Sequence, residues 1–185
     1  MAKPTNQVRI IGGRQRGRKI AFPDQTGLRP TGDRLRETLF NWLQPLIPGA
    51  RCLDLFAGSG VLGFEAASRG AASVVMVEKA KPVARCLADA IKLLELGQVT
   101  LQQADALTWL DRPPQPFDVV FLDPPFADKL LEPICKKLQQ GWLSDDARLY
   151  IEIDAKDNLP LLPDNWLPLK EKKAGQVRYF LYRIE

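Results

Sequence analysis

The sequence predicts an α/β protein built on a doubly wound, mostly parallel sheet. Downstream of residue 50, short apolar runs typical of buried strands alternate with segments whose apolar residues recur at helical spacing. This alternation produces a parallel sheet with helices on both faces. The last two apolar segments, residues 167–174 and 177–184, are separated only by Gly175 and Gln176, which predicts an antiparallel hairpin at the sheet edge. A chain of 185 residues suits one such domain with a small appendage.

The appendage is predicted at the N-terminus. The apolar pieces "VRII" and "KIAF" flank "GGRQRGR", a pattern typical of a β-hairpin with a basic tip. The stretch after it predicts a helix capped by Thr31 or Asp33. Its apolar residues recur at helical spacing and leave two arginines off that stripe: Leu35, Leu39, Trp42 and Leu43 against Arg34 and Arg36. We therefore divide the chain into an N-terminal basic hairpin and helix, residues 1–45, and a main domain, residues 46–185.

The elements of the main domain follow in order. The first strand, residues 52–57, runs through a glycine-rich turn into a helix over residues 61–69. A helix over residues 82–96 closes at Gly97, because glycine is favoured just past a helix end. The other strands are predicted at residues 73–78, 99–105, 117–123 and 147–154, and the other helices at residues 106–110 and 129–140.

Charge and composition restrict the kinds of partner and catalytic site that the protein can have. The first 37 residues hold nine Lys or Arg against three acids, whereas the rest hold seventeen against nineteen. The basic stretch indicates a polyanionic partner, with a solvated basic tail as the alternative. The chain has no histidine, which excludes His-based triads, His metal sites and His bases. The three cysteines are scattered, which favours reduced thiols and no metal site. No stretch is typical of a signal peptide or a membrane span, which favours a cytoplasmic protein without membrane contact.

The turn after the first strand carries a ligand signature. Gly58, Gly60 and Gly63 form G-x-G-x-x-G between a strand and a helix, which lets a ligand approach the backbone closely. Asp54, four residues before the first glycine, would repel a pyrophosphate but attract an ammonium group. The turn therefore favours S-adenosylmethionine, which carries an amino-acid end and a cationic sulfonium, over a dinucleotide.

Three further strands are predicted to end in a carboxylate. Glu78 ends the second strand, where it would accept both ribose hydroxyls of an adenosyl ligand. Asp105 ends the third strand. With the N–H of Ala106 it would bind the adenine amine and ring nitrogen, or it would cap the short helix that follows. Asp123 ends the fourth strand. Because the carboxyl ends of parallel strands meet at one edge of the sheet, these acids and Asp54 predict a single site.

Asp123 begins the motif "DPPF". Pro124 and Pro125 fix two φ angles and donate no N–H, so the turn is stiff and its carbonyls are expected to be free. The motif predicts a rigid row of hydrogen-bond acceptors beside Phe126, on which an extruded base would stack. The alternative is a rigid turn whose phenylalanine lies in the core.

These motifs, in this order, resemble the Rossmann-type S-adenosylmethionine-dependent methyltransferases, and "DPPF" resembles the subgroup that acts on exocyclic amines. Over essentially the whole chain, including "RPTGDRLRE" and "AGQVRYFLYR", the sequence is similar to the RsmD-type 16S rRNA guanine-N2 methyltransferases. The resemblance implies a seven-stranded Rossmann-like sheet and no metal. It also implies methyl transfer from S-adenosylmethionine to the N2 amine of a guanine, with S-adenosylhomocysteine as the other product.

Motifs and resemblance together give three sets of predicted site residues. The catalytic set is Asp123, Pro124, Pro125 and Phe126. The cofactor-binding set is Asp54, Phe56, Ala57, Gly58, Ser59, Gly60, Glu78, Lys79, Asp105 and Ala106. The RNA-binding set is Arg14, Arg16, Arg18, Lys19, Arg29, Thr31, Arg34 and Arg36. The hairpin members of the last set would contact phosphates. The others would order over the target nucleotide, with helix capping and salt bridges as their alternative role.

The predicted partner is 16S rRNA, within the small ribosomal subunit or its assembly intermediate, and a monomer is the default expectation. Three alternatives stay open. An NAD-dependent dehydrogenase is disfavoured by Asp54 and by the lack of a second substrate domain. A methyltransferase acting on DNA adenine or cytosine, or on protein glutamine, usually needs a separate recognition domain. A non-catalytic rRNA-binding assembly factor would keep the fold without the chemistry.

Overall fold

The computed structural model describes residues 6–24, 28 and 31–185. In chain order the elements are β1 (Asn6–Arg9), β2 (Lys19–Phe22), α1 (Asp33–Leu43), β3 (Arg51–Asp54), α2 (Val61–Ser68), β4 (Ser73–Glu78), α3 (Lys81–Leu93), β5 (Val99–Gln103), α4 (Ala106–Trp109), β6 (Phe117–Leu122), a 3-10 turn (Phe126–Asp128), α5 (Leu131–Leu138), β7 (Leu143–Asp154), β8 (Trp166–Ala174) and β9 (Val177–Ile184). Within these residues, no helix has the length and apolar character needed to cross a membrane.

Seven strands form one sheet in the order β5-β4-β3-β6-β7-β9-β8, and β1 and β2 form a separate antiparallel hairpin. The pairs from β5 to β7 are parallel, whereas β9 pairs antiparallel with β7 and β8. The predicted doubly wound, mostly parallel seven-stranded sheet with its C-terminal antiparallel hairpin is therefore confirmed. The strand order reverses between β3 and β6, the position at which open α/β sheets bind ligands.

Two hydrophobic clusters pack on the sheet. One joins the sheet to the N-terminal hairpin, α1, α2 and α3, with Ile20 and Leu39 among its members beside Phe121. The other joins the sheet to α4 and α5 and includes Trp109 and Ile134. The hairpin and α1 therefore share their core with the main sheet and act as part of the layer that covers one face.

Several elements of the main domain differ from the expected bounds. Strand β3 ends at Asp54 and β5 at Gln103. Helix α3 ends at Leu93, so the predicted closure at Gly97 is wrong: the positive φ after this helix is at Glu95.

The helix expected over residues 129–140 is confined to α5, because Phe126–Asp128 form a 3-10 turn and Lys129 has a φ of 47°. A non-glycine residue with positive φ does not continue a right-handed helix. Strand β7 starts four residues before the expected position at residue 147, since Leu143 already pairs with Phe117 ahead of a bulge.

Helix α2 contributes a buried carboxylate that holds the N-terminal segment. Glu65 is fully buried and accepts hydrogen bonds from the backbone N–H groups of Ile11 (3.1 Å) and Gly12 (2.7 Å). It also pairs with Arg36 (3.3 Å) and with Arg69 (2.9 Å). A buried carboxylate is tolerated only when its oxygens are satisfied in this way. The Glu65 cluster, as we call these five residues, therefore fixes the hairpin against α2.

Arg36 was expected off the apolar stripe of α1, as a contact for RNA. It is instead fully buried, so the predicted RNA contact is wrong for this residue. Its guanidinium donates to the carbonyls of Thr31 (3.0 Å) and Arg9 (2.8 Å) and pairs with Asp33. The predicted cap of α1 by Thr31 or Asp33 is also wrong: Gly32 occupies the N-cap position with no side-chain cap, because Asp33 serves the buried arginine.

The tip of the hairpin is fixed to the far end of α2. The backbone N–H of Arg14 donates to the Ser68 carbonyl (2.8 Å), and the N–H of Gln15 donates to the Ser68 hydroxyl (2.9 Å). The Gln15 amide also donates to the Leu94 carbonyl (3.0 Å). These bonds give the tip a defined position on the body of the protein.

We expect Glu65→Gln to lower the free energy of unfolding by about 3–5 kcal/mol, because the neutral amide leaves the buried Arg36 guanidinium without its buried charge partner and with only the exposed Asp33 opposite it. Urea denaturation followed by circular dichroism measures the change.

The matched control is Glu132→Gln, which removes an exposed ion pair with Lys136 (2.7 Å) one turn along α5. An exposed pair of this kind contributes little, so we expect the same urea midpoint as in the wild-type protein. Equal midpoints for the two variants would contradict the anchoring role of Glu65.

Candidate active site

The carboxyl ends of the parallel strands border one cavity of about 910 Å³. Glu78, Asp105 and Asp123, which follow or end β4, β5 and β6, all line it. Of the predicted cofactor set, Phe56, Ala57, Gly58, Ser59, Lys79 and Ala106 line it as well, and so does the complete predicted catalytic set. The structure therefore brings together most of the residues that the sequence placed at the sheet edge.

Asp54 lies below this cavity and does not line it. The side chain is 2% exposed, and its carboxylate accepts a hydrogen bond from the N–H of Gly63 in α2 (3.1 Å). Burial raises the pKa of Asp54 to about 7, against the hydrogen bonds from Gly63 and Phe56 that lower it. The acid was expected to face a ligand, but helix α2 covers it. The helix can pack this closely because Gly63 has no side chain, and a Cβ at Gly63 would lie 2.4 Å from Met76. Direct contact with a ligand is therefore replaced by a role in holding the turn.

The glycine turn is shaped by two residues with positive φ. Gly58 has a φ of 53° and lines the cavity, whereas Gly60 has a φ of 79° and forms the N-cap of α2 behind it. A Cβ at Gly60 would lie 2.5 Å from Leu87 and from Phe64. The turn therefore cannot carry a larger residue at this position without moving the core.

Glu78 is held in place by the same turn. Its two oxygens accept backbone hydrogen bonds from Gly58 (2.9 Å) and Ala80 (2.7 Å). An ionised carboxylate has about four acceptor positions, so each oxygen keeps capacity for a ligand hydroxyl. The carboxylate is thus fixed in orientation before any ligand arrives.

The predicted capping role of Asp105 is confirmed, and its contact with adenine stays a prediction. It is the N-cap of α4, accepting from the N–H groups of Leu107 (3.0 Å) and Thr108 (3.3 Å), and it lines the cavity. Partial burial alone would raise its pKa, but the hydrogen bond from Lys79 and those from the helix backbone outweigh that effect and lower it. The side chain is therefore a stable anion at the cavity wall, paired with Lys79 at 3.2 Å.

The "DPPF" turn presents acceptors and an aromatic ring to the cavity. Phe126 is 38% exposed, so the alternative that it belongs to the core is wrong. Pro125 was expected to leave its carbonyl free, but that carbonyl accepts the N–H of Asp128 (3.2 Å) and closes the 3-10 turn. Asp123 and Pro124 then remain as the acceptor side of the motif at the cavity.

The cavity is also lined by acids that sequence reasoning did not assign to the site, and Glu152 in β7 is the buried one among them. It is 5% exposed, lines the cavity, and accepts a hydrogen bond from the hydroxyl of Tyr150 (2.8 Å). Leu122 pairs with Ile151, so Asp123 and Glu152 come next on two adjacent strands. Burial is the main cause that raises the pKa of Asp123, and the negative charges of Glu152 and Asp54 raise it further.

The signal for Glu152 was present in the strand "LYIEI", where a lone acid interrupts an apolar run. Its importance depends on β7 lying next to β6, which the sequence alternation alone does not specify.

The predicted RNA-binding residues separate into distinct places. Thr31 and Arg34 line the cavity, whereas Arg36 is buried. The hairpin exposes the side chains of Arg14, Arg16, Arg18 and Lys19. Its tip is bonded to Ser68 at the C-terminal end of α2, whereas the cavity borders the N-terminal end of this helix. Arg29 lies outside the described residues. Within those residues, no group of three or more acidic or cysteine side chains is arranged to hold a metal ion.

The sheet order, the glycine turn and the acidic, proline-bordered edge define a Rossmann-like methyltransferase. A family model described as "Conserved hypothetical protein 95" matches residues 8–183, and the chain belongs to this family, the RsmD-type methyltransferases.

Individual relatives agree with this assignment. Ribosomal RNA small subunit methyltransferase D of Escherichia coli strain K12 is 47% identical over 190 residues, covering 100% of this chain and 96% of the relative. The protein of the same name from Haemophilus influenzae is 48% identical over 182 residues, covering 96% and 94%. The solved structure of yhhF from Escherichia coli superposes with a TM-score of 0.91 at 45% identity, covering 97% of this chain and 99% of that one.

The buried carboxyl of Asp54 predicts a pH dependence of stability. Its pKa is about 7 in the folded protein against 3.8 as the ordinary value, so between these values the folded state binds more protons than the unfolded state. Stability due to this group is therefore present below that window and is lost as the pH rises through it, by at most about 1.4 kcal/mol per pH unit.

Asp54→Asn keeps an acceptor for the Gly63 N–H and removes the titration. We expect urea unfolding of the variant between pH 5 and pH 7 to decline less steeply with pH than that of the wild-type protein. If the free energy of unfolding changed equally with pH in the two proteins, the raised pKa of Asp54 would be contradicted.

Proposed function

We propose that this protein transfers a methyl group from S-adenosylmethionine to the exocyclic N2 amine of a guanine in 16S rRNA of the small ribosomal subunit. The observation that carries the proposal is the position of Asp123, Pro124 and Phe126 at one cavity with Glu78 and Asp105. The full-length similarity to proteins named ribosomal RNA small subunit methyltransferase D supports the RNA substrate.

The residues of the cavity fit S-adenosylmethionine. A Cβ at Gly58 would lie 2.9 Å from the Leu28 side chain across the cavity. The absence of a side chain at Gly58 therefore leaves space for a ligand against the backbone of the turn. Glu78 would accept the ribose hydroxyls, and Asp105 with the N–H of Ala106 would bind the adenine. Residues 56–59 would surround the amino-acid end. Asp54 is buried below the turn, so the preference for a positively charged ligand over a pyrophosphate depends on the acids that line the cavity, Glu78, Asp105 and Asp123.

The bound donor supplies an electrophilic methyl group on a positively charged sulfur. The protein supplies the alignment and the acceptors. Asp123 and the Pro124 carbonyl accept the two hydrogens of the guanine amine, so the nitrogen lone pair turns out of the ring and toward the donor side of the cavity. Phe126 stacks on the base, which holds it in that orientation. Asp123 is also placed to hold the proton that the amine loses.

The N-terminal extension, residues 1–45, is proposed as the RNA-contacting part and residues 46–185 as the methyltransferase part. The exposed arginines of the hairpin bind phosphates near the C-terminal end of α2, whereas the N-terminal end of this helix borders the cavity. Thr31 and Arg34 contact the target nucleotide at the cavity itself. In this proposal the enzyme works as a monomer in the cytoplasm, on the small subunit or its assembly intermediate.

The function is tested with small ribosomal subunits from cells that lack the enzyme. We expect the purified protein and S-adenosylmethionine to add one methyl group to a single guanine, which mass spectrometry of nuclease fragments locates. Calorimetry should show binding of S-adenosylhomocysteine in preference to NADH. A protein that binds NADH alone, or that leaves the rRNA unmodified, would contradict the proposal.

In the same assay we expect Asp123→Ala to abolish methyl transfer, because the amine loses the acceptor that orients its lone pair. Binding of S-adenosylhomocysteine, measured by calorimetry, should survive, since Glu78 and Asp105 are unchanged. Transfer at the wild-type rate would refute the role of Asp123.

The hairpin is tested by the triple variant Arg14→Ala, Arg16→Ala and Arg18→Ala. We expect weaker rRNA binding and a shallower dependence of affinity on salt, by roughly 0.7–0.9 in the log–log slope for each lost phosphate contact. Filter binding over a range of salt concentrations measures both. Lys136→Ala on α5 is the matched control, and an unchanged slope in the triple variant would show that the tip does not contact RNA.

A further inference from the structure

Glu152 is a buried carboxylate at the cavity that the proposed chemistry leaves without a role. It is 5% exposed in the interior of β7, a place where an acid is unfavourable unless its charge has partners. The hydroxyl of Tyr150, itself fully buried, donates to Oε2 and fixes the side chain. Burial raises the pKa of this carboxyl, and the hydrogen bonds from Tyr150 and from the adjacent Thr31 side chain offset only part of that effect. An ionised carboxylate has about four acceptor positions, so Glu152 keeps capacity for a further donor.

The position of Glu152 relative to Asp123 determines what that donor can be. The two acids are level with each other on adjacent parallel strands and line one cavity. Neighbouring strands lie about 4.8 Å apart. The two nitrogens of guanine that would meet the two acids, N1 and the exocyclic N2, are separated by about half that distance, within the reach of two side chains that converge on one base. One planar base can therefore contact both carboxylates with the same edge.

The ring nitrogen next to the exocyclic amine distinguishes guanine from adenine and cytosine. In guanine, the ring N1–H lies next to the N2 amine, so the edge offers only donors on this side. In adenine and cytosine, the ring nitrogen next to the exocyclic amine carries a lone pair. A carboxylate facing that nitrogen accepts a hydrogen bond from guanine and repels the other two bases.

We infer that Glu152 is the residue that selects guanine: its carboxylate accepts the N1–H while Asp123 and Pro124 accept the hydrogens of the N2 amine. This inference rests on the proposed function. Tyr150 and Thr31 are positioning residues, because they hold the carboxylate at the level of Asp123. The two acids, which repel each other across the strand pair, each acquire a donor from the same base.

The test compares wild-type protein with Glu152→Gln on two substrates. Once the methylated guanine is mapped, small subunits are reconstituted with rRNA that carries either guanine or 2-aminopurine at that position. 2-Aminopurine keeps the N2 amine but has a lone pair at N1. We expect the wild-type protein to prefer guanine by at least about 100-fold in kcat/KM, as sites built to bind a donor reject analogues that lack it.

The amide of Glu152→Gln can accept from N1–H or donate to an N1 lone pair. We therefore expect slower methylation of guanine, faster methylation of 2-aminopurine, and a preference of about tenfold or less. A merely structural role would slow both substrates equally and keep their ratio. Glu132→Gln, on the exposed face of α5, should retain the wild-type ratio.

The outcomes are distinguishable. A wild-type protein that methylates guanine, with an unchanged ratio in a Glu152→Gln variant that still binds S-adenosylhomocysteine, would overturn the inference alone. Equal wild-type rates on the two substrates would overturn it as well, even if the variant did not fold. Failure of the wild-type protein to methylate the guanine-containing subunit would overturn the proposed function and the inference with it.

Discussion

The buried carboxylate of Glu65 is the interaction on which the placement of the N-terminal segment depends. Two backbone N–H groups and two guanidinium groups converge on it. None of these partners is adjacent to it in sequence, apart from Arg69 one turn along α2. A charge of this kind in a core is unfavourable on its own and is tolerated because its partners are complete. Packing of the hairpin and formation of the ion pairs are therefore one event, and the hairpin cannot shift along α2 without breaking both.

This anchor extends to the active site through Arg36. The same guanidinium that pairs with Glu65 donates to the carbonyl of Thr31, and the Thr31 side chain lies beside Glu152 at the cavity. The N-terminal extension therefore forms one wall of the site. Part of its formal positive charge is used inside the protein by Arg36, whereas Arg34 and the cations of the hairpin tip are exposed.

The sequence was sufficient for the elements, the sheet class and most of the cavity, because hydrophobic periodicity and strand-end acids are local patterns. It was insufficient wherever a side chain depends on a distant partner. Arg34 and Arg36 are equivalent in sequence, yet one lines the cavity and the other is buried, since only Arg36 meets Glu65. Asp54 was placed at the correct strand end, but the path of α2 over it could not be derived from spacing.

The acidity of the site also has a structural explanation. Asp54, Asp123 and Glu152 lie on or directly after three adjacent strands. Burial raises the pKa values of all three, and the charges of Glu152 and Asp54 raise that of Asp123 further. Such an arrangement destabilises the protein without ligand and persists where function requires it. Hydrogen-bond donors on a base and positive charge on a methyl donor are the two features that relieve it. The same electrostatic strain would therefore favour binding of both substrates and oppose binding of phosphate-bearing cofactors at this edge.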